Sequence, residues 1–360
     1  MLETLRVAKF RFGVCVKEPI RFPAYKGAVF RGGFGYAFKG VVCVIRNKAC
    51  DDCLLKQKCI YSYIFETPPP EDTEMLRLYP KVPHPFVIEP PITEKQTFNP
   101  GEEFPFHLIL IGSAIDYLPY FIYTFTELGK KGIGQGRGKY DLLQVEGIGL
   151  DNEAVQIYHN KTQTLTSHYP IIQARQFVQR NRENRSIPNC NKAFSSEQDK
   201  NRAVSSPCEG EDKGGVQNLT QEDSSQGNSC NNKVTISLLT PLRLRFDVYI
   251  TDKIEFHVLI RNLLRRISSL SYFHCNEKLE IDFKGLIEKA SKVKQIASDI
   301  HWFDWKRYST RQDAWMSLGG VTGTVSYEGD LTEFMSLLKL GEYVHVGKGT
   351  SFGLGKYEIV

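Results

Sequence analysis

The chain has 360 residues, 41% hydrophobic and 24% charged, enough to bury two ordinary domain cores. Forty-six Lys and Arg against 41 Asp and Glu give +5, which excludes a strongly acidic or polybasic protein, so any anion site must be sought in local clusters. Residues 1–6 lack a basic patch followed by an apolar core, and no apolar run approaches bilayer-spanning length, so a cytoplasmic, membrane-free protein is expected.

In chain order, alternating apolar residues predict a strand over 5–16, and the 27–42 segment reads as a helix despite its glycines. Cys43, Cys50, Cys53 and Cys59 follow, spaced C-x6-C-x2-C-x5-C. In a reducing compartment four thiols this close point to metal rather than disulfides, and a structural zinc with four thiolate ligands is the expectation. An iron–sulfur cluster and free thiols are the alternatives; four thiolates leave no open position for catalysis. A strand is expected over 104–111, a helix over 114–128 and a strand over 139–145. Residues 158–233 read as a connecting segment, and 195–233, crowded with Ser, Asn, Gln, Gly, Asp and Glu, as a disordered linker. Beyond it come a strand over 234–246, a helix over 256–273 and a hairpin strand pair within 315–328. A helix over 331–340 with Asp330 as N-cap and a strand over 356–360 complete the chain. Strand, helix, strands, helix, strand, given twice, is an α+β architecture of two tandem ferredoxin-like (RRM-like) domains, 1–157 and 234–360.

The two halves end alike. Each runs Leu-Gly, a loop rich in Gly and Lys, then Gly-Lys-Tyr, an acid and an aliphatic residue. The intervals from glycine to glycine are 129 to 138 and 341 to 355. This likeness argues duplication. Gly134 and Gly136 in the first loop, and Gly347, Gly349, Gly353 and Gly355 in the second, let backbone N–H groups approach a ligand and form an anion-binding concavity. Lys130, Lys131, Arg137, Lys139 and Lys348 are placed to meet a phosphate backbone. Neither loop is a Walker loop, because Gly349 follows Lys348 where Ser or Thr is required. Arg261 and Arg265, four apart on one helix face, and the run 302–308, which mixes aromatics with cations, are further candidate RNA contacts.

The stretch 307–312, with Arg307 and Arg311, together with Leu318-Gly319-Gly320-Val321-Thr322-Gly323 and the second glycine loop, resembles the CRISPR-associated precursor-crRNA endoribonucleases of the RAMP superfamily. Phe30-Arg31-Gly32-Gly33-Phe34-Gly35 and Pro83-His84-Pro85-Phe86 in the first half support the likeness. The resemblance implies two domains facing across a cleft that holds CRISPR repeat RNA. It implies metal-independent cleavage by 2′-hydroxyl attack, which leaves a 2′,3′-cyclic phosphate and a 5′-hydroxyl. Other CRISPR-associated effector or adaptation proteins are then the expected further partners. Many relatives carry a histidine in the first helix, whereas here no histidine precedes His84 and that helix offers Arg31, Tyr36 and Lys39. The reaction needs a base, an acid and cations against the phosphorane, so His345, His84, Tyr36 and Lys39 are the catalytic candidates. A RAMP subunit that binds guide RNA without cutting it is the competing reading.

Overall fold

Strand β1 (Arg6–Val16) turns Ala8, Phe10, Phe12, Val14 and Val16 to one buried face, as a half-buried strand of period two should. The computed structural model describes residues 4–46, 48–70, 72–76, 79, 81–186, 233–247, 249–309 and 314–360. Arg311 and residues 195–232 of the expected linker lie outside the described residues, as does the side chain of Arg307.

After β2 (Ile20–Arg21), helix α1 (Gly27–Val42) buries Phe30, Phe34, Ala37 and Phe38, the 3–4 spacing of one helix face. Its glycines lower helix propensity, and packing explains their place: a Cβ on Gly35 would stand 2.2 Å from the Phe65 ring. Next come β3 (Phe86–Glu89), β4 (Thr97–Phe98) and β5 (Glu103–Ile111). Helix α2 (Leu118–Lys131) begins later than the sequence predicts, because 112–117 forms a 3₁₀ turn with Pro119 at the start of the α-helix. Phe34 stacks on Phe121 of α2 at 4.9 Å and on Phe125 at 5.2 Å. β6 (Tyr140–Ile148) completes the order β3-β5-β1-β6, all antiparallel, which is the ferredoxin-like arrangement.

Residues 158–186, read from sequence as connection, are structured. β7 (Ala154–His159) and β8 (Thr164–Leu165) extend the sheet, β9 (Ile172–Gln173) pairs with β1, and α3 (Ala174–Ser186) follows. Phe177 of α3 is buried, its ring 5.5 Å from that of Tyr343 in the second half.

The second half repeats the plan. The predicted strand 234–246 breaks into β10 (Lys233–Leu242) and β11 (Leu244–Phe246), which pairs with β12 (Tyr249–Thr251). The break follows Pro241, which has no N–H to donate to a ladder. Helices α4 (Phe256–Cys275) and α5 (Phe283–Ala290) lead to β13 (Lys294–Phe303), β14 (Lys306–Ser309), β15 (Ala314–Ser317) and β16 (Gly320–Glu328). The strands predicted within 315–328 do not pair with each other: β15 pairs with β14, while β16 lies between β13 and β10. Helix α6 (Met335–Val344) starts later than expected, and Asp330 caps a preceding turn by accepting from Thr332 N–H at 3.1 Å. β17 (Tyr357–Ile359) closes the order β13-β16-β10-β17, which has the same strand permutation as the first sheet.

The run Leu108 to Ile111 is buried at every residue, so both faces of β5 are covered. Leu108 and Leu110 face their own helices, while Val7, Val87, Ile109 and Ile111 join α4 and α6 in one apolar cluster between the halves. Within that junction sits Glu89, 1% exposed. His345 Nε2 lies 2.8 Å from its carboxylate, Lys356 Nζ 3.1 Å, His107 Nδ1 3.7 Å and Lys9 Nζ 3.8 Å. Burial raises the Glu89 pKa, but the His345 hydrogen bond and the lysines outweigh it and hold the carboxyl well below the usual range.

A basic face at the second glycine loop

The second glycine loop begins where α6 ends, at His345, and reaches back to the first half. Gly355 has φ of 70°, and a Cβ there would stand 1.9 Å from the Val346 carbonyl oxygen. Gly134, Gly136, Gly347, Gly349 and Gly353 are likewise left-handed. At the loop's centre Ser351 Oγ accepts from Arg31 Nε at 2.9 Å, and the Phe352 carbonyl accepts from the Tyr25 hydroxyl at 2.8 Å. The Arg31 guanidinium lies between the rings of Phe65 and Phe352, 4.4 and 4.5 Å from their centroids. Arg31 therefore pins α1 to the loop.

Neither candidate histidine offers a free nitrogen. His84 Nε2 is 2.9 Å from Arg31 Nη2, and a guanidinium only donates, so Nε2 accepts. Its Nδ1 then carries the proton toward Thr67 Oγ1 at 3.3 Å, while Thr67 donates to the Val82 carbonyl at 2.9 Å. Burial first, then Arg31, pushes the His84 pKa well below that of an ordinary histidine. His345 is fully buried, with Nε2 on Glu89 and Nδ1 3.1 Å from the Leu354 carbonyl. Burial lowers its pKa against the pull of Glu89. The expectation that His345 is presented toward a phosphate is thus corrected: a ring next to the loop in sequence is turned into the junction between the halves.

A solvent-facing cluster lies beside the loop. Arg261 and Arg265 project from α4 as the i, i+4 spacing predicts, and Leu259, Leu263, Leu264 and Ile267 are buried beneath them. Arg266 turns inward instead and donates from Nε to the Val344 carbonyl at 2.6 Å. Asn262 clamps β11 to α4, accepting from Arg245 N–H at 3.2 Å and donating to the Arg245 carbonyl at 3.0 Å. Arg261 lies over the Phe246 ring at 5.8 Å. Arg265 lies over the ring of Tyr79, 5.2 Å from its centroid. The hydrogen bond and charge of Arg265, followed by the charges of Arg245 and Lys348, lower the Tyr79 pKa. Tyr79 is 41% exposed and Lys348 is exposed. One face thus gathers Arg245, Arg261, Arg265, Lys348 and Tyr79.

The remaining candidates lie elsewhere. Arg31 and Tyr36 are five residues apart, about 140° around a helix, so α1 cannot aim both at one point. Tyr36 is 77% exposed beneath Lys131, 5.7 Å from its ring, and Lys39 lies over Tyr61 at 5.6 Å. The first glycine loop is anchored on β2, where Gln135 N–H donates to the Arg21 carbonyl at 2.9 Å. Around it Lys130 pairs with Glu127 and Lys139 with Glu18, each at 2.8 Å, while Arg137 is exposed. The aromatic run is split: Trp302 is 49% exposed, whereas Trp305 sits 4.8 Å from the Tyr25 ring.

The zinc expectation finds no support in the structure. Among the described residues, no three His, Cys, Asp or Glu side chains converge where a metal could be held. Cys43 Sγ points to the Ile45 carbonyl at 3.4 Å. The spacing permits four ligands, and Cys43 and Cys59 lie near enough to Cys50 to raise its pKa, but the thiols do not form a metal-holding group.

Sequence reading missed Tyr79 and Arg245. Arg245 had a signal, since Arg243-Leu244-Arg245 alternates as a strand does, whereas Tyr79 has none: its segment reaches α4 only through the tertiary fold.

Comparison with known proteins agrees with this architecture. Residues 5–170 match a family model for an N-terminal domain (AF_1859_N), and residues 236–357 match the model of the CRISPR-associated endoribonuclease Cas6. An uncharacterized protein of Archaeoglobus fulgidus is 28% identical over 123 residues, 34% of this chain and 40% of that relative. The chain therefore spans well under half of the curated relative it matches. A partial Cas6-RT-Cas1–Cas2 complex aligns with TM-score 0.58 at 11% identity, over 99% of this chain and 46% of that one. A Cas6 product complex aligns with TM-score 0.51 at 12% identity, over 98% and 100%. At such identities the structural likenesses speak for the fold, and the match over 236–357 speaks for the family. Residues 236–357 thus resemble the CRISPR-associated endoribonuclease Cas6 in sequence, and the whole chain shares the fold of Cas6 structures.

Proposed function

We propose that the chain is an endoribonuclease that cuts precursor CRISPR RNA within its repeats. The ribose 2′-hydroxyl attacks the adjacent phosphate, leaving a 2′,3′-cyclic phosphate and a 5′-hydroxyl. The observation that carries this reading is the gathering of Arg245, Arg261, Arg265 and Lys348 beside the glycine loop of a Cas6-like domain. Four cations on one face suit a phosphate backbone and the extra charge of a phosphorane. The nucleophile belongs to the RNA, so the protein must supply orientation, charge stabilisation and proton transfer, and needs no metal for those tasks. Repeat RNA is the proposed substrate. Adaptation proteins of the Cas1 and Cas2 type are proposed partners, since a Cas6-RT-Cas1–Cas2 complex shares the fold. No helix among the described residues is long and apolar enough to cross a membrane, and a cytoplasmic site of action is proposed.

Incubation of purified protein with repeat RNA in excess EDTA tests the reading. A single cut with a cyclic-phosphate end is expected; cleavage that requires added magnesium would overturn metal independence. The occupied rings of His84 and His345 favour a second reading, a RAMP subunit that holds guide RNA without cutting it. Tight repeat binding with no cut product would select that one.

A further inference from the structure

Transfer of the 2′-hydroxyl proton requires an acceptor, and three of the histidines are engaged; His257, beside Phe246 on the same face, has its Nδ1 3.4 Å from the Glu255 carboxylate. His84, His274 and His345 each have both ring nitrogens in hydrogen bonds. Burial lowers the His274 pKa to about 4. The basic face does hold a phenol. Tyr79 is exposed, Arg265 sits over its ring, and the charge of Lys348 on the second glycine loop also lowers its pKa.

We propose that Tyr79 is a catalytic residue, the general base that takes the proton of the attacking 2′-hydroxyl. The proposal rests on the RNA-cleavage reading above. In the step, the 2′-oxygen bonds to phosphorus as the phosphorus–O5′ bond breaks, and the 2′-hydroxyl proton passes to Tyr79 Oη. The leaving 5′-oxygen takes a proton from water, and the resulting hydroxide is neutralised by the proton Tyr79 then releases. The negative charge that builds on the phosphorane faces Arg265, Arg245 and Lys348. The same cations favour the phenolate, the form that accepts the proton, so one set of charges serves both the base and the transition state.

Single-turnover cleavage of repeat RNA by excess protein, followed from pH 5 to 10 for wild type, Tyr79→Phe and Arg265→Gln, tests this. Wild type should speed up with pH and level off where the phenol is fully ionised. Tyr79→Phe keeps the ring, so it should fold and bind RNA within about twofold of wild type. Its rate should fall about 10²–10³-fold, the range of a lost general base, and the levelling should vanish. Arg265→Gln should shift the levelling to higher pH, which a purely structural role would not do. Cleavage by Tyr79→Phe at the wild-type rate, or a pH profile unmoved by Arg265→Gln, overturns the proposal and leaves the cleavage reading intact. Wild type that binds repeat RNA and cuts none overturns both.

Discussion

Glu89 shows how one residue joins the halves. Its carboxylate is buried with His345 and Lys356 of the second half and Lys9 of its own sheet, so its removal strands cations away from water. Glu89→Gln should cost about 3–5 kcal/mol in chemical denaturation, the range for breaking a buried pair. The folded pKa of Glu89 lies below its unfolded value near 4.5. Its contribution is therefore present above that pH and lost as pH falls through the folded value. Wild type should lose stability on acidification more steeply than Glu89→Gln. His345 belongs to the same network. His345→Asn should lower the melting temperature, yet leave single-turnover cleavage within about tenfold of wild type when assayed well below melting, since its ring is buried away from any RNA. A loss of 10²-fold or more with unchanged binding would restore His345 as a base.

Among the elements, the glycine loops divide by context. Gly355 combines a left-handed φ with a carbonyl in contact, so Gly355→Ala should cost about 2 kcal/mol or more by denaturation. Gly136 is left-handed but faces open space, so Gly136→Ala should cost about 1 kcal/mol, the backbone penalty alone. Equal losses at both sites would mean that the close contact in the second loop is unimportant. The cysteine turn is also legible only in part. Cys50→Ser with Cys53→Ser should leave the melting temperature nearly unchanged, because no metal-holding group forms among the described residues. A loss of several degrees together with zinc in elemental analysis would contradict that.

For the molecule as a whole, the formal charge of +5 is too small to hold RNA by itself, so affinity should depend on the local cluster. Each cation that contacts a phosphate of single-stranded RNA adds about 0.7 to the slope of log affinity against log salt. Lys348→Ala and Arg261→Ala should each lower the slope by about that amount, while Lys130→Ala and Lys139→Ala, paired with Glu127 and Glu18 at the other loop, should change it little. Binding isotherms across a salt series decide the matter.

The amino-acid sequence by itself determined the ferredoxin-like order of elements, the extents of β1 and α1, the two glycine loops and the Arg261–Arg265 stripe. These follow from local periodicity and from short-range backbone rules, which act within a few residues. The tertiary structure alone decided which side chains meet. Four cysteines in a short window form no metal-holding group among the described residues, and two histidines in motif-like positions turn inward to Glu89 and Arg31. Tyr79 reaches Arg265, far away along the chain, because the segment after α1 crosses onto α4. Such meetings depend on how two sheets and their helices pack, and no local pattern in a single sequence encodes that distance.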